Sequence, residues 1–435
     1  MFKSQMNRRI IALTIPNIIS NITVPLLGMV DLAIVGRLGG ATSIGAIAIG
    51  TAIFNLIYWN FGFLRMGTSG LTAQAFGRRS FSESINMLTR SMVIGLLIAS
   101  VLLLFQKPIL VFANMFMGSS LELQDVVAQY FFVRIWGAPA TLAMYVFKGW
   151  FIGMQNSKTP MWISIQINVV NIVLSYLFAF NMGMGIGGVA LGTILAQYSG
   201  CVTSMLIILT RYKVVTHYFH FKGSLRMTEM KKFFKINTDI LLRTICLSFV
   251  FASFTAFSTH LGEDTLAVNT VLLQLFTLFS YIMDGFAFAG EALTGKYYGA
   301  GSRPLLKEAI RYVLIWGVII STFFTILYTF LLTPLISIFT NVESIITLAS
   351  EYKWWVVAIP FAGFLAFVLD GVLIGITQTK IMRNSIFFAS IIFYAVYYLL
   401  TPTIGNNAIW LAFILYLIGR GVIQYIYYKR IDRVC

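Results

Sequence analysis

Apolar residues run along this chain in long stretches, broken by short polar gaps where basic residues collect. About 20 apolar residues in a helix are enough to cross the hydrocarbon of a bilayer. Twelve windows qualify: residues 10–36, 43–76, 86–115, 122–150, 158–181, 184–211, 236–262, 264–295, 304–339, 343–376, 381–402 and 406–428. Several exceed the required length, which predicts tilted or kinked helices projecting beyond the bilayer. No segment of about ten residues alternates with period two, so the pattern is not that of a lipid-facing barrel.

The pattern repeats. Gly149-Trp-Phe-Ile-Gly153 through Lys158 matches Gly371-Val-Leu-Ile-Gly375 through Lys380 at an offset of 222 residues. Leu38-Gly39 with Leu261-Gly262, Gly62-Phe63 with Gly285-Phe286, and Ala75-Phe-Gly77 with Tyr297-Tyr-Gly299 fall at 222 or 223. Two blocks at one offset predict a duplicated unit of six spans. An even number of spans gives both copies the same orientation, with the pseudo-two-fold axis along the membrane normal. The expected fold is therefore an all-α membrane protein with twelve transmembrane helices in two six-helix lobes. The expected boundaries are 1–211 for the first lobe, 212–235 for a cytoplasmic linker and 236–435 for the second lobe. Two lobes of this kind suit a path that opens alternately to either side, as in a transporter.

Composition narrows the class. Of 435 residues, 58% are hydrophobic and 11% charged, against about a quarter charged in a soluble domain. Three cysteines, the last at position 435, cannot build a disulfide framework. The net charge of +16 would suggest nucleic acid in a soluble protein. Here most basic residues lie at even-numbered connections and at the ends: Lys3, Arg8 and Arg9; Arg78, Arg79 and Arg90; Lys148 and Lys158; Arg211 to Lys235; Lys296 to Arg311; Lys380 and Arg383; Arg420 to Arg433. Cytoplasmic loops carry such an excess, so both termini are expected to be cytoplasmic, no cleaved signal peptide is expected, and no nucleic-acid partner is implied.

A charge at the centre of a spanning helix costs about 2.5–3.5 kcal/mol, so each one is a functional candidate. Asp31 lies on one stripe of span 1 with Asn17, Asn21 and Gly28, in a helix that Pro16 and Pro25 interrupt. It suits coupling protonation or cation binding to movement, the alternative being a hydrated carboxylate near the outer interface. Span 5 carries Ser164, Asn168, Asn171 and Ser175 on one face, either as interhelical glue or as a cavity lining. Their oxygens suit a hard cation such as sodium beside a carboxylate. A glycine-rich hinge, Met182 to Gly188, leads into span 6, where Thr193 and Gln197 lie one turn apart.

In the second half, Asp239 and Arg243 are spaced for mutual neutralisation as a structural or gating pair. Asp284 and Glu291 share a face of span 8, and Asp370 lies deep in span 10; the three acids suggest a second polar cavity or caps at helix junctions. Arg65 and Arg134 are candidate counter-ions. His217 and His220 in the basic linker form no metal site, and no GxxxxGK[ST] loop is present, so no cofactor and no ATP-driven step are expected from this chain.

Taken together, these residues resemble the multidrug and toxic compound extrusion (MATE) family in its DinF-like branch. The resemblance rests on Pro16 with Val30 to Gly36, on Gly153-Met-Gln-Asn-Ser-Lys-Thr-Pro160, and on Asn168 with Asn171. The second half contributes Asn237 to Arg243, Asp284 to Glu291 with Gly295, and Asp370 to Gly375. It implies a transporter of the cytoplasmic (inner) membrane, not an enzyme, that exports amphipathic, often cationic organic compounds or drugs in exchange for H+ or Na+. It also implies a first-lobe cation site, with sodium as one expected occupant, at Asp31, Asn171 and Thr193, and bending at Pro16. Where the family commonly has a second aspartate, this chain has Ser175. A monomer is the expected working state. The alternative reading is a flippase of lipid-linked oligosaccharide or lipid, which would favour a cavity rich in Arg and Lys.

Overall fold

The computed structural model describes residues 5–38, 41–117, 121–219 and 221–434. Lys3, Gly39, His220 and Cys435 lie outside them. The described chain is helical throughout, and twelve helices are long and apolar enough to cross a membrane. They are Gln5–Arg37, Thr42–Gly77, Phe81–Leu104, Leu123–Gly153, Lys158–Asn181, Gly185–Arg211, Met227–His260, Glu263–Gly299, Arg303–Ile336, Lys353–Gly375, Thr379–Ile404 and Asn406–Lys429, here spans 1 to 12. Hydrocarbon offers no water to a backbone or hydroxyl group, and a helix satisfies its own backbone. Many hydroxyls follow suit: those of Thr68, Thr89, Ser204 and Ser258 each donate to the carbonyl four residues back.

Several apolar runs are subdivided, three of them as follows. Span 2 breaks at Phe61-Gly62 into Ala41–Asn60 and Phe63–Gly77. The run expected to reach residue 115 stops at Leu104, and a separate helix, Gln106–Met117, follows. Ahead of span 10, Glu343–Glu351 forms a short helix of its own. In each case hydrophobicity continues through a change of direction, which a window of apolar residues cannot register.

Among the described residues the chain forms two compact units, one drawn from Ile15–Phe234 and the other from Met1–Thr14 with Lys235–Cys435. The start of span 1 therefore packs with the second half. Trp316 Nε1 donates to Asn7 Oδ1 at 3.2 Å, and Arg9 Nη1 donates to the Tyr297 hydroxyl at 2.6 Å. The division falls two residues before Pro16, which has no N–H for the carbonyl of Ala12.

Within each unit the repeated glycines do the same work. A Cβ at Gly149 would collide with the Arg65 carbonyl, and one at Gly371 with the Ala287 carbonyl, 222 positions further on. Gly153 lies against Thr72 and Gly375 against Thr294, again at that offset. The duplication is thus a duplication of close helix contacts that only glycine permits.

Overpacking such a contact costs about 1–3 kcal/mol. Gly371→Ala is expected to lower the thermal unfolding midpoint of the purified protein. Gly36→Ala, which meets nothing within 4 Å, is expected to leave it unchanged or slightly raised.

Candidate functional site

Asp31, Asn171, Ser175 and Thr193 come together inside the first unit, all buried. A stripe of small residues on span 6 makes this possible. A Cβ on Gly192 would lie 2.5 Å from the Ser175 nitrogen, and one on Gly188 would lie 2.8 Å from the carbonyl carbon of Phe178. Spans 5 and 6 therefore touch backbone to backbone, just where span 5 passes into a π-helical turn at Leu177–Asn181. That approach puts Thr193 within reach of Asn171.

The hydrogen bonds form one cluster. Asn171 Nδ2 lies 3.2 Å from Asp31 Oδ1, 3.1 Å from Ser175 Oγ and 2.9 Å from Thr193 Oγ1. The Thr193 hydroxyl faces both Asp31 Oδ2 at 3.1 Å and the Val189 carbonyl at 2.9 Å. The Ser175 hydroxyl donates to the same carbonyl at 3.3 Å. An amide nitrogen carries two hydrogens and each hydroxyl one, so these contacts outnumber the protons available to fill them. Asn171 Oδ1 is buried with no hydrogen-bond partner among the described residues. A proton on Asp31 would fill one of these vacant contacts. A small hard cation would also fit, because rotating the amide adds Asn171 Oδ1 to the carboxylate and hydroxyl oxygens.

A positive charge stands nearby. Arg134 is buried on span 4, where its Nη1 donates to Gln197 Oε1 at 3.1 Å and its guanidinium lies over the Phe54 ring. Gln197 is one turn beyond Thr193, and its Oε1 also accepts from Thr141 at 2.9 Å. The charge of Arg134 acts on Asp31, whereas that of Arg65 acts on Tyr145.

Asn168 is not part of this cluster: its amide donates to the Ser164 carbonyl of its own helix at 2.9 Å. The rest of the expected stripe joins spans 1 and 5. Ser20 and Ser164 hydroxyls are 3.0 Å apart, and Asn17 Nδ2 donates to Ser157 Oγ at 3.0 Å. Pro16 sits one residue before this junction.

The second unit handles its charges differently, and two expectations are corrected. Asp239 and Arg243 do not neutralise each other. Arg243 pairs with Asp370 of span 10, while Asp239 pairs with Arg383 of span 11 at 2.6 Å and accepts from Thr379 Oγ1 at 3.1 Å. Neighbouring helices offer closer partners than one turn of the same helix.

Asp370 also pairs with Arg420 and accepts from Gln424 Nε2 at 2.8 Å. Instead of an acidic cavity with few bases, Asp370 meets two buried guanidinium groups. Glu291 is fully buried and Asp284 partly so, neither joined to Asp370 by a hydrogen bond among the described residues. Arg420, read from the sequence as a topology charge, is 2% exposed; its place inside an apolar run, one turn before Gln424, was the available signal.

The repeat aligns the two arrangements. Asn21 and Lys148 occupy the positions that Arg243 and Asp370 hold 222 residues later, and Lys148 Nζ donates to Asn21 Oδ1 at 3.3 Å. Asn17 and Ser157 correspond likewise to Asp239 and Thr379. One framework thus carries different charges in its two copies, with the sign reversed between Lys148 and Asp370.

The MatE family model matches residues 16–177 and 240–399, once in each half. The chain is 33% identical over 414 residues to "DNA damage-inducible protein F" of Escherichia coli (strain K12), covering 94% of this chain and 89% of that protein. It is 23% identical to "Multidrug resistance protein MdtK" of Edwardsiella ictaluri (strain 93-146), covering 96% and 94%. Among solved structures it is similar to "Crystal structure of MATE in the bent conformation", with a TM-score of 0.89, 18% identity and coverage of 99% and 96%. "Outward-facing conformation of a multidrug resistance MATE family transporter of the MOP superfamily" gives a TM-score of 0.86 at 18% identity, covering 99% and 97%. At that identity the structures show the fold alone.

Removing one partner from a buried ion cluster costs about 3–5 kcal/mol, because the others stay buried and uncompensated. Asp370→Asn is expected to destabilise the purified protein by that much in thermal unfolding. Asp239→Asn, whose partner Arg383 is 31% exposed, is expected to cost about 1 kcal/mol.

Proposed function

The chain belongs to the MatE family, and from that premise we propose that it is a secondary active antiporter of the cytoplasmic membrane. It exports amphipathic, often cationic organic compounds in exchange for H+ or Na+ by alternating access, with both termini in the cytoplasm. The observation that carries this reading is the buried Asp31 cluster, a carboxylate surrounded by neutral donors and left with unfilled contacts. Relatives named as multidrug resistance proteins support the substrate class.

Asp31 is the coupling group. Asn171 and Thr193 hold it with neutral hydrogens, and Ser175 in turn bonds to Asn171, so its charge can change without tearing apart an ion pair. A site with two carboxylates would bind sodium more strongly; here Ser175 supplies only a neutral oxygen and Arg134 adds positive charge. That balance weakens a sodium site, and proton exchange through Asp31 alone is the other form the coupling takes. One positive charge moving inward through the membrane potential yields about 2.3 kcal/mol per 100 mV, enough to drive export against a modest gradient. The flippase alternative gains no support from the buried bases of the second unit, since Arg243 and Arg420 are taken by Asp370.

Vesicles with imposed gradients test the assignment. Asp31→Asn is expected to abolish gradient-driven export of organic cations while the folded protein remains detectable. Gradient-driven export at the wild-type rate would refute the role. Ser175→Asp restores the second carboxylate, and it is expected to raise the stimulation of export by sodium at constant pH relative to wild type.

A further inference from the structure

The segment between spans 6 and 7 takes no part in the Asp31 cluster, yet it is firmly held. Its two short helices, Lys213–Thr216 and Phe221–Ser224, pack on span 3. There the buried guanidinium of Arg90 donates through Nε to the Ser224 carbonyl, and its Nη1 lies 3.6 Å from Glu229 Oε2. Asn86 Oδ1 accepts from the Ser224 hydroxyl at 2.6 Å. The rings of Phe81 and Tyr218, 6.5 Å apart, bring the linker to the turn that carries exposed Arg79.

The charge left exposed has one sign. Arg211, Lys213, Arg226, Lys231 and Lys232 are exposed, and Glu229, the one acid between residues 211 and 235, is held by Arg90. Apolar side chains are exposed among them: Val214 at 64%, Phe219 at 50% and Met227 at 70%. Topology accounts for the basic residues. It does not account for the apolar side chains between them, nor for the clamp that fixes the segment on span 3.

We propose that this linker is a docking surface for anionic phospholipid in the leaflet on its own side of the membrane. Phosphate head groups pair with the Lys and Arg side chains, and Val214, Phe219 and Met227 enter the interface. A basic segment beside a spanning helix gains about 1 kcal/mol per Lys or Arg from an anionic leaflet, and interleaved apolar side chains add burial. The Arg90 clamp contributes by setting a positive charge against Glu229, the one acid of the segment.

Electron paramagnetic resonance on the full-length protein, reconstituted with spin-labelled phosphatidylglycerol or spin-labelled phosphatidylcholine, tests the proposal. Phosphatidylglycerol is expected to associate several-fold more strongly than phosphatidylcholine at low salt. The preference is expected to fall toward one in about 1 M salt, where screening acts within about 3 Å. It is also expected to fall in a variant combining Lys213→Gln, Arg226→Gln, Lys231→Gln and Lys232→Gln, and to persist when the three lysines become arginine. Equal association of the two lipids with the wild type would overturn the proposal. So would a preference that salt leaves unchanged, a measurement that needs no variant to fold.

Discussion

A carboxylate withdrawn from water has to be met by hydrogens or by positive charge, and the two halves of this chain answer that demand in opposite ways. Around Asp31 the answer is the Asn171 amide and the Thr193 hydroxyl, with the charge of Arg134 standing further off. Around Asp370 it is a pair of arginines with a glutamine. In the first arrangement the carboxylate is met by neutral donors and is in no direct ion pair among the described residues, so loss of its charge breaks none. In the second, protonating Asp370 would leave two cations without an anion in the core. The duplicated framework thus holds a carboxylate among neutral donors in one copy and a fixed ion cluster in the other.

Glycine is the common means. Each copy draws two helices to backbone distance at matching positions, Gly149 with Gly153 and Gly371 with Gly375. Only the first unit adds the Gly188 and Gly192 stripe that brings Thr193 to Asn171. Helix contacts this close have little room for adjustment, so polar side chains mounted on them keep their distances. The precision of the Asp31 cluster therefore derives from residues that carry no functional group.

Much of this was legible in the sequence. The twelve spans follow from hydrophobicity alone, because hydrocarbon imposes a minimum length on every crossing. Asp31 stands out as a charge in an apolar helix, whereas its grouping with Asn171 and Thr193 was what the family resemblance implied, since the spacing of Asn171 and Ser175 marks a face without saying what it meets. Partners across helices were not legible. Asp239 and Arg243 share one face of one helix, yet each prefers a residue more than a hundred positions away, and no local pattern announces that choice. Asn168 shares its stripe with Asn171 but bonds to its own helix, a difference set by rotamer and neighbour rather than by spacing. Arg420 and Arg90 were hidden by a rule that treats basic residues near span ends as markers of orientation, although both are buried.

The packing of Asn7 and Arg9 against spans 8 and 9 carries a consequence for biogenesis. The earliest turns synthesised find their lasting neighbours only when helices some three hundred residues downstream have been made. Until then Asn7 and Arg9 lack these two lasting partners. A ribosome that stalled midway would leave the first unit complete from Ile15 onward, with the opening turns still short of the helices they pack on.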